Sequence, residues 1–280
     1  MSRLVRSLPA GALLVGALLL AGCGGSGPGS HSSASVGAAS VIQAADVTDL
    51  TPGYRFQMSM DSSIEGHSVN VSGEGAIDDH GKRGETTIDV AGKKLSEIID
   101  SPYIYVEVLG KTSSHWVKAD LNAFTQSLGA GNALGGSSAS PTAMLKYLKA
   151  AGQVSLIGHE AIRGTPTTHY RATIDFDRYG KVLAKSNGAE AGRYAALMKR
   201  MTGSSSLPMD VWVDESKRVR RISLTMHICT AEGPLQESMT MDLYGYGQPL
   251  PVSAPPSSGV PDITSELKST LAAGLQKLSC

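Results

Sequence analysis

From Tyr54 onward the chain repeats itself every two residues. Tyr54, Phe56, Met58 and Met60 fall in one phase, and Arg55, Gln57, Ser59 and Asp61 in the other. This alternation predicts a half-buried strand. It continues with Val69, Val71, Gly73, Gly75 and Ile77 against Asn70, Ser72 and Glu74, and then with Thr86, Ile88 and Val90. Glu65-Gly66, Asp78-Asp79-His80-Gly81 and Ala91-Gly92-Lys93 supply the residues that tight turns favour. A fourth strand ends near Ile99, a fifth runs over Tyr103–Val108 behind Pro102, and Trp116 and Val117 sit in a short sixth. Links this short cannot carry parallel crossovers, so the strands must form an antiparallel meander.

Residues 121–151 break the period. Leu121, Phe124 and Leu128 stand at helical spacing, the stretch Gly129 to Ser140 is small and polar, and Ser140-Pro141 reads as the cap and first position of a helix with Met144, Tyr147, Leu148 and Ala151 on one face. Strands resume over Val154–Gly164, turn at Thr165-Pro166, and continue through Tyr170, Ala172 and Ile174. A second helical insertion is expected over 176–202, its stripe formed by Ala191, Tyr194, Met198 and Met201, with Pro208 ending it. Three more strands follow: Met209–Asp214, the alternation Ile222, Leu224, Met226 and Ile228, and the alternation Met239, Met241 and Leu243. Residues 247–261 carry five prolines and lead to a C-terminal helix over 262–280, with Asp262 at its cap and Ile263, Leu267, Leu271, Leu275 and Leu278 along one stripe. A short helix over 41–50 precedes the first strand. The fold class is therefore α+β, one domain over 41–246 with an appended linker and helix.

The N-terminus is of a different kind. Arg3 and Arg6 precede an apolar run, Ala12–Leu20, which is far short of the ~20 residues a membrane-spanning helix needs. Such a basic and then short apolar segment reads as a secretory signal. Leu20-Ala21-Gly22-Cys23 resembles the lipobox of bacterial lipoproteins, which implies a signal peptide over 1–22 and an acylated Cys23 as the mature N-terminus. Residues 23–40, rich in Gly and Ser, form a tether too poor in apolar surface to fold. The chain is thus expected on the extracytoplasmic face of the cell membrane, held by its acyl anchor. Loss of Arg3 and Arg6 leaves 23 basic against 25 acidic residues with no charge run, so no nucleic-acid partner is expected. With Cys23 assigned to lipid, Cys229 and Cys280 remain. In a compartment that permits disulfides they read either as a bridge, which would be worth roughly 4 kcal/mol in the chain-entropy model, or as two free thiols.

The lipobox, the long meander, the helices inserted after about six strands, and the closing strands around Val211-Trp212-Val213-Asp214 together resemble the LolA/LolB-like fold as used by the LppX/LprG group of lipoproteins. That resemblance implies a strongly curved antiparallel sheet forming a half-open barrel, helices that plug one side, a cavity for acyl chains, and a place in carrying lipid between membranes. The Pro-rich linker and C-terminal helix depart from the pattern. Composition points the same way: the mature chain holds nine Met against three Phe. Thioether side chains adapt to irregular apolar shapes, as varied acyl chains require, and equally fill a closed core. The candidate cavity residues are Phe56, Met58, Met60, Met198, Met201, Leu224, Met226, Met239 and Met241.

No Gly-rich phosphate loop, His-Glu-x-x-His or Gly-x-Ser-x-Gly occurs in the sequence. His159, His169 and His227 lie in separate strands, with nothing in their spacing that draws them together on a metal, and Asp78-Asp79-His80 belongs to a turn. No enzymatic activity, cofactor or metal is expected. The reading is a membrane-anchored lipoprotein that binds a lipid or other amphiphile; the alternative is a ligand-free envelope domain that senses or scaffolds a partner.

Overall fold

The computed structural model describes residues 33–64, 67–78, 82–109, 114–127, 145, 152–187, 189–230, 233–248 and 258–276. The signal segment, Cys23, the Asp79-His80 turn, the 141–151 helix apart from Leu145, and Cys280 lie outside these residues. The chain opens with α1 (Ser33–Asp49) and the meander β1 (Gly53–Ile64), β2 (His67–Asp78), β3 (Arg83–Val90), β4 (Lys93–Asp100), β5 (Tyr103–Leu109) and β6 (Ser114–Asp120). It continues with α2 (Leu121–Ser127), β7 (Gly152–Ile162), β8 (Thr165–Asp175), the helix pair α3 (Phe176–Asn187) and α4 (Ala189–Thr202), and β9 (Ser206–Asp214), β10 (Val219–Thr230) and β11 (Gly233–Tyr244). α5 (Thr264–Gln276) ends it.

All eleven strands join one sheet in the order β6-β5-β4-β3-β2-β1-β11-β10-β9-β8-β7, and every pairing is antiparallel. The sheet is curved and does not close, since β6 and β7 are its two edges. Two meanders, β1–β6 and β7–β11, are joined by β1 against β11, with Met58 opposite Met241 and Met60 opposite Met239. Close coiling of β1 on β2 is made possible by small residues. A Cβ at Gly75 would stand 2.2 Å from the Glu85 carbonyl oxygen and 2.7 Å from the Phe56 ring. Any side chain there would displace the ring that fills the space.

The helices cover one face. α1 presents Ala38, Val41, Ala44, Ala45 and Thr48, all buried. These small residues let its backbone lie close to β7, where a Cβ on Gly37 would come within 3.2 Å of Val154. Its far end is held by the buried Thr48 hydroxyl, which accepts from the Val219 amide at 3.0 Å. Here the structure corrects the expected tether over 23–40 and the helix over 41–50. The helix begins at Ser33, because packing on the sheet supplies the burial that an Ala- and Ser-rich segment lacks by itself. The insertion over 176–202 consists of two helices. Asp175 caps α3 by accepting from the Arg178 amide at 2.9 Å, and Lys199 pairs with Asp177 at 2.8 Å to hold α4 against it.

Two turns also differ from expectation. The β7–β8 turn falls at Arg163-Gly164, both at positive φ, two residues before the expected Thr165-Pro166. Pro208 lies inside β9, opposite Thr173, and does not end the insertion. At the other edge, α5 packs against β6 and α2. Backbone bonds tie Lys118 to Pro261 and Ile263, each at 2.9 Å, and Asp262 caps the helix through the Thr264 amide at 3.0 Å. The appended helix thus docks on the β6 edge of the sheet.

Candidate functional site

Alternation along β1, β9, β10 and β11 places one set of side chains on the helix-covered inner face. Register then stacks them in lateral rows. One row runs Met58, Met241, Ile222, Val211, and the next Met60, Met239, Leu224, Met209. The sequence-expected lining residues Phe56, Met58, Met60, Met198, Leu224, Met226, Met239 and Met241 are all buried. Met201, at the last turn of α4, is only half-buried. Met58, Met198, Leu224, Met226, Met239 and Met241 belong to one apolar cluster, together with Val41 of α1, Phe176 of α3 and Ala195 of α4. The expected set is therefore brought together, with Met201 at its margin and Met60 buried in the adjoining row.

Three polar groups stand on this apolar face where the alternation would put aliphatic ones. Glu237 is in phase with Leu235, Met239 and Met241, and lies opposite Ser62 and Met226. It is 1% exposed, and its Oε1 has no hydrogen-bond partner among the described residues. Burial pushes its carboxyl up to about 7. Glu97, in phase with Leu95 and Ile99, is likewise buried, and burial pushes it up to about 7. At the opposite end of β1 the Tyr54 hydroxyl is buried without a partner among the described residues, and burial raises its pKa. Sequence reasoning placed Tyr54 on this face but missed Glu237 and Glu97. The signal was present in Glu237 and Glu97, each an acid at a position whose neighbours two residues away are apolar.

The outer face carries a polar row instead. Across β8, β9, β10, β11 and β1 it runs His169, Trp212, Arg221, Asp242, Gln57. The His169 ring stacks on Trp212 at 4.1 Å, and its Nε2 lies 2.9 Å from Asp210. The Trp212 indole donates to Glu160 at 2.6 Å, and Arg221 grips Asp242 at 2.5 and 2.8 Å. Partial burial works against a charge on Asp210, but hydrogen bonds with Arg171 and His169 outweigh it and hold that carboxyl below its usual range. Arg163, at the tip of the β7–β8 hairpin, donates to Gln57 at 3.0 Å and lies 4.1 Å over the Tyr244 ring. These contacts account for the burial of Trp212, which alternation alone would have left to solvent.

A cleft of about 350 Å³ opens beside α1, lined by Ser40, His159, Thr168, Tyr170, Val213 and Lys217 among others. His159 reaches Thr168 there at 3.3 Å, whereas His169 points to the opposite face and His227 is exposed on β10. The three histidines do not converge, and among the described residues no three His, Cys, Asp or Glu side chains gather as metal ligands. Cys229 is buried near the end of β10.

Fold and inner face together define an open, antiparallel α+β sheet plugged by helices, the architecture of LppX-type lipoproteins. The chain superposes on the lipoprotein LppX of Mycobacterium tuberculosis with a TM-score of 0.51, over 78% of this chain and 98% of that one, at 14% identity. A weaker likeness, TM-score 0.44 at 12% identity over 81% of this chain and 99% of the other, is to LprF from Mycobacterium bovis. No protein-family model matches the chain. Among curated proteins, an uncharacterized 31.2 kDa protein in the rplA-rplJ intergenic region of Streptomyces griseus is 28% identical over 130 residues, 46% of this chain; the match spans 40% of the length of that protein.

Glu237 gives this face a pH-dependent stability. Its pKa is raised from 4.5 to about 7 on folding, so between those values the unfolded chain has released a proton that the folded chain keeps. Its contribution is intact below pH 4.5 and is lost as pH rises to about 7, a change on the order of 3 kcal/mol. Glu237→Gln should therefore melt close to the parent at pH 4.5 and well above it at pH 8, in thermal scans monitored by circular dichroism. Equal melting shifts at the two pH values would rule out an ionising Glu237 in the apolar face.

Proposed function

We propose that this chain is a non-enzymatic, lipid-anchored envelope protein whose inner face receives the acyl chains of an amphiphile. The observation that carries the reading is the pair of methionine rows on β1, β9, β10 and β11, roofed by helices that are inserted between strands rather than woven into the sheet. Unbranched thioether chains repack at little cost, so such a face can accept chains of differing shape once the helices lift. Buried polar groups in the same face support the reading, because a core selected for stability alone would carry aliphatic residues there. Anchoring is assigned to Cys23, and among the described residues no helix is long and apolar enough to cross a membrane. The lipoprotein LppX, with which the chain shares its fold, supports that assignment. Whether the bound amphiphile is carried between membranes is a further step of the same proposal. Cys229 and Cys280 are assigned to a disulfide on the grounds of compartment and pairing.

One observation favours the ligand-free alternative. Apart from Met60, the methionine rows share one buried cluster with α1 and α4, as in a closed core. Met241→Trp separates the two. Met241 is 1% exposed and meets Met58 and Ile222 across its neighbouring strands. If the face opens for a ligand, the indole takes ligand space, the melting temperature holds, and lipid recovered per mole falls in mass spectrometry of the purified protein. A closed core with no lipid in the parent should instead lose about 1–3 kcal/mol to overpacking.

Two further outcomes test the anchor and the bridge. Cys23→Ala should move the protein from the membrane to the soluble fraction, since the remaining chain holds no other acyl site in a lipobox. Retention after carbonate washing would count against acylation. Cys229 and Cys280 should resist maleimide in the unfolded, non-reduced chain and react once reductant is added; labelling without reductant would show two free thiols.

A further inference from the structure

Glu237 is the one acid among the inner-face positions of β11, where Leu235, Met239, Met241 and Leu243 hold the other places. Its neighbours on that face are Ser62 across β1, Met226 across β10, and Leu235 and Met239 along its own strand, none of them charged. Among the described residues no ion pair offsets its burial, and Oε1 has no hydrogen-bond partner. An unmade hydrogen bond of this kind is a standing loss to the empty fold, and leucine or methionine, which the neighbouring positions already carry, would remove it. A buried acceptor that the protein itself does not satisfy is suited to a donor brought by something else.

We propose that Glu237 is the polar recognition point of the inner face: it accepts a hydrogen bond from a hydroxyl or amine carried by an amphiphile whose chains lie along the methionine rows. The inference rests on the amphiphile reading above and adds to it a chemical class: ligands with a hydrogen-bond donor at the junction of head group and chain, in preference to fully capped lipids. Both protonation states of the carboxyl accept such a bond, and the push of its pKa toward 7 by burial fits a site that is dry when closed. Geometry also sets where the donor must sit. Glu237 stands one row beyond Met60 and Met239, toward the β10–β11 hairpin, so the chains run from there toward Met58, Met241 and Phe56.

The test uses the mature chain, residues 23–280 with Cys23→Ala, and two probes that share one acyl chain: 1-monopalmitoylglycerol, with two free hydroxyls, and methyl palmitate, with none. Equilibrium dialysis should show the parent retaining the monoacylglycerol at least about tenfold more tightly. Glu237→Leu should bind both probes alike, with a melting temperature at or above that of the parent, and Glu237→Met serves as a second apolar exchange. Glu237→Gln, whose amide oxygen still accepts, should keep the preference. A preference that survives in the Leu and Met variants, or that is absent from a parent binding both probes, overturns the role of Glu237 while leaving the amphiphile reading intact. Failure of the parent to bind either probe overturns both.

Discussion

The pairing of β1 with β11 is the contact on which the rest of the structure depends. It joins residues far apart in the chain, Met58 to Met241 and Met60 to Met239, and turns two meanders into one sheet. Of the other strand pairs, only β8–β9 spans an inserted helix pair; the rest join strands adjacent in the chain through short links. Without the β1–β11 ladder, the inner faces of β1–β6 and β7–β11 would be separate and each would leave its apolar side half-covered. With it, α1, α3 and α4 lie over a single surface and one cluster spans from Ile99 on β4 to Ile174 on β8. A contact of that sequence separation is entropically expensive to close, and the apolar area it brings together is what offsets the cost.

The two faces of the sheet solve the problem of burial differently. On the outer face polar groups are buried in mutual contact: Asp242 is gripped by Arg221, Trp212 is stacked on His169 and bonded to Glu160, and Asp210 serves both Arg171 and His169. That row is satisfied from within the protein. On the inner face Glu237 and the Tyr54 hydroxyl have no such partners among the described residues. A fold whose outer face balances its charges so completely has the means to do so on the inner one. On the amphiphile reading proposed above, that imbalance is what the inner face offers to a bound ligand.

Much of this architecture was legible in the chain. Period-two alternation located β1, β2, β3, β8, β10 and β11, since half-burial of a strand leaves its mark on every second residue, and turn residues and apolar runs placed the other five. Gly- and Asp-rich turns marked most links. The inner-face set around Met58, Met226 and Met241 followed from the same phase. Legibility stopped where the deciding energy was not local. Ser33–Ser40 carries too little apolar surface to fold alone, yet is helical in a helix whose Gly37 lies against Val154 of β7. Trp212 sits on the phase of Asp210 and Asp214, and its burial comes from His169 and Glu160 on other strands.

Local elements could be read from the chain alone: which residues are strands, most of their turns, and which side chains share a face. Those are set by steric alternation and by the backbone preferences of a few turn residues, which act over neighbours. Tertiary structure decided the order β1 next to β11, the side of the sheet the helices cover, the docking of α5 on the β6 edge, and the enclosure of Glu237 among Ser62, Met226 and Met239. Each of these depends on which distant surfaces bury the most apolar area together, and alternation within a strand is identical whichever neighbour it finds.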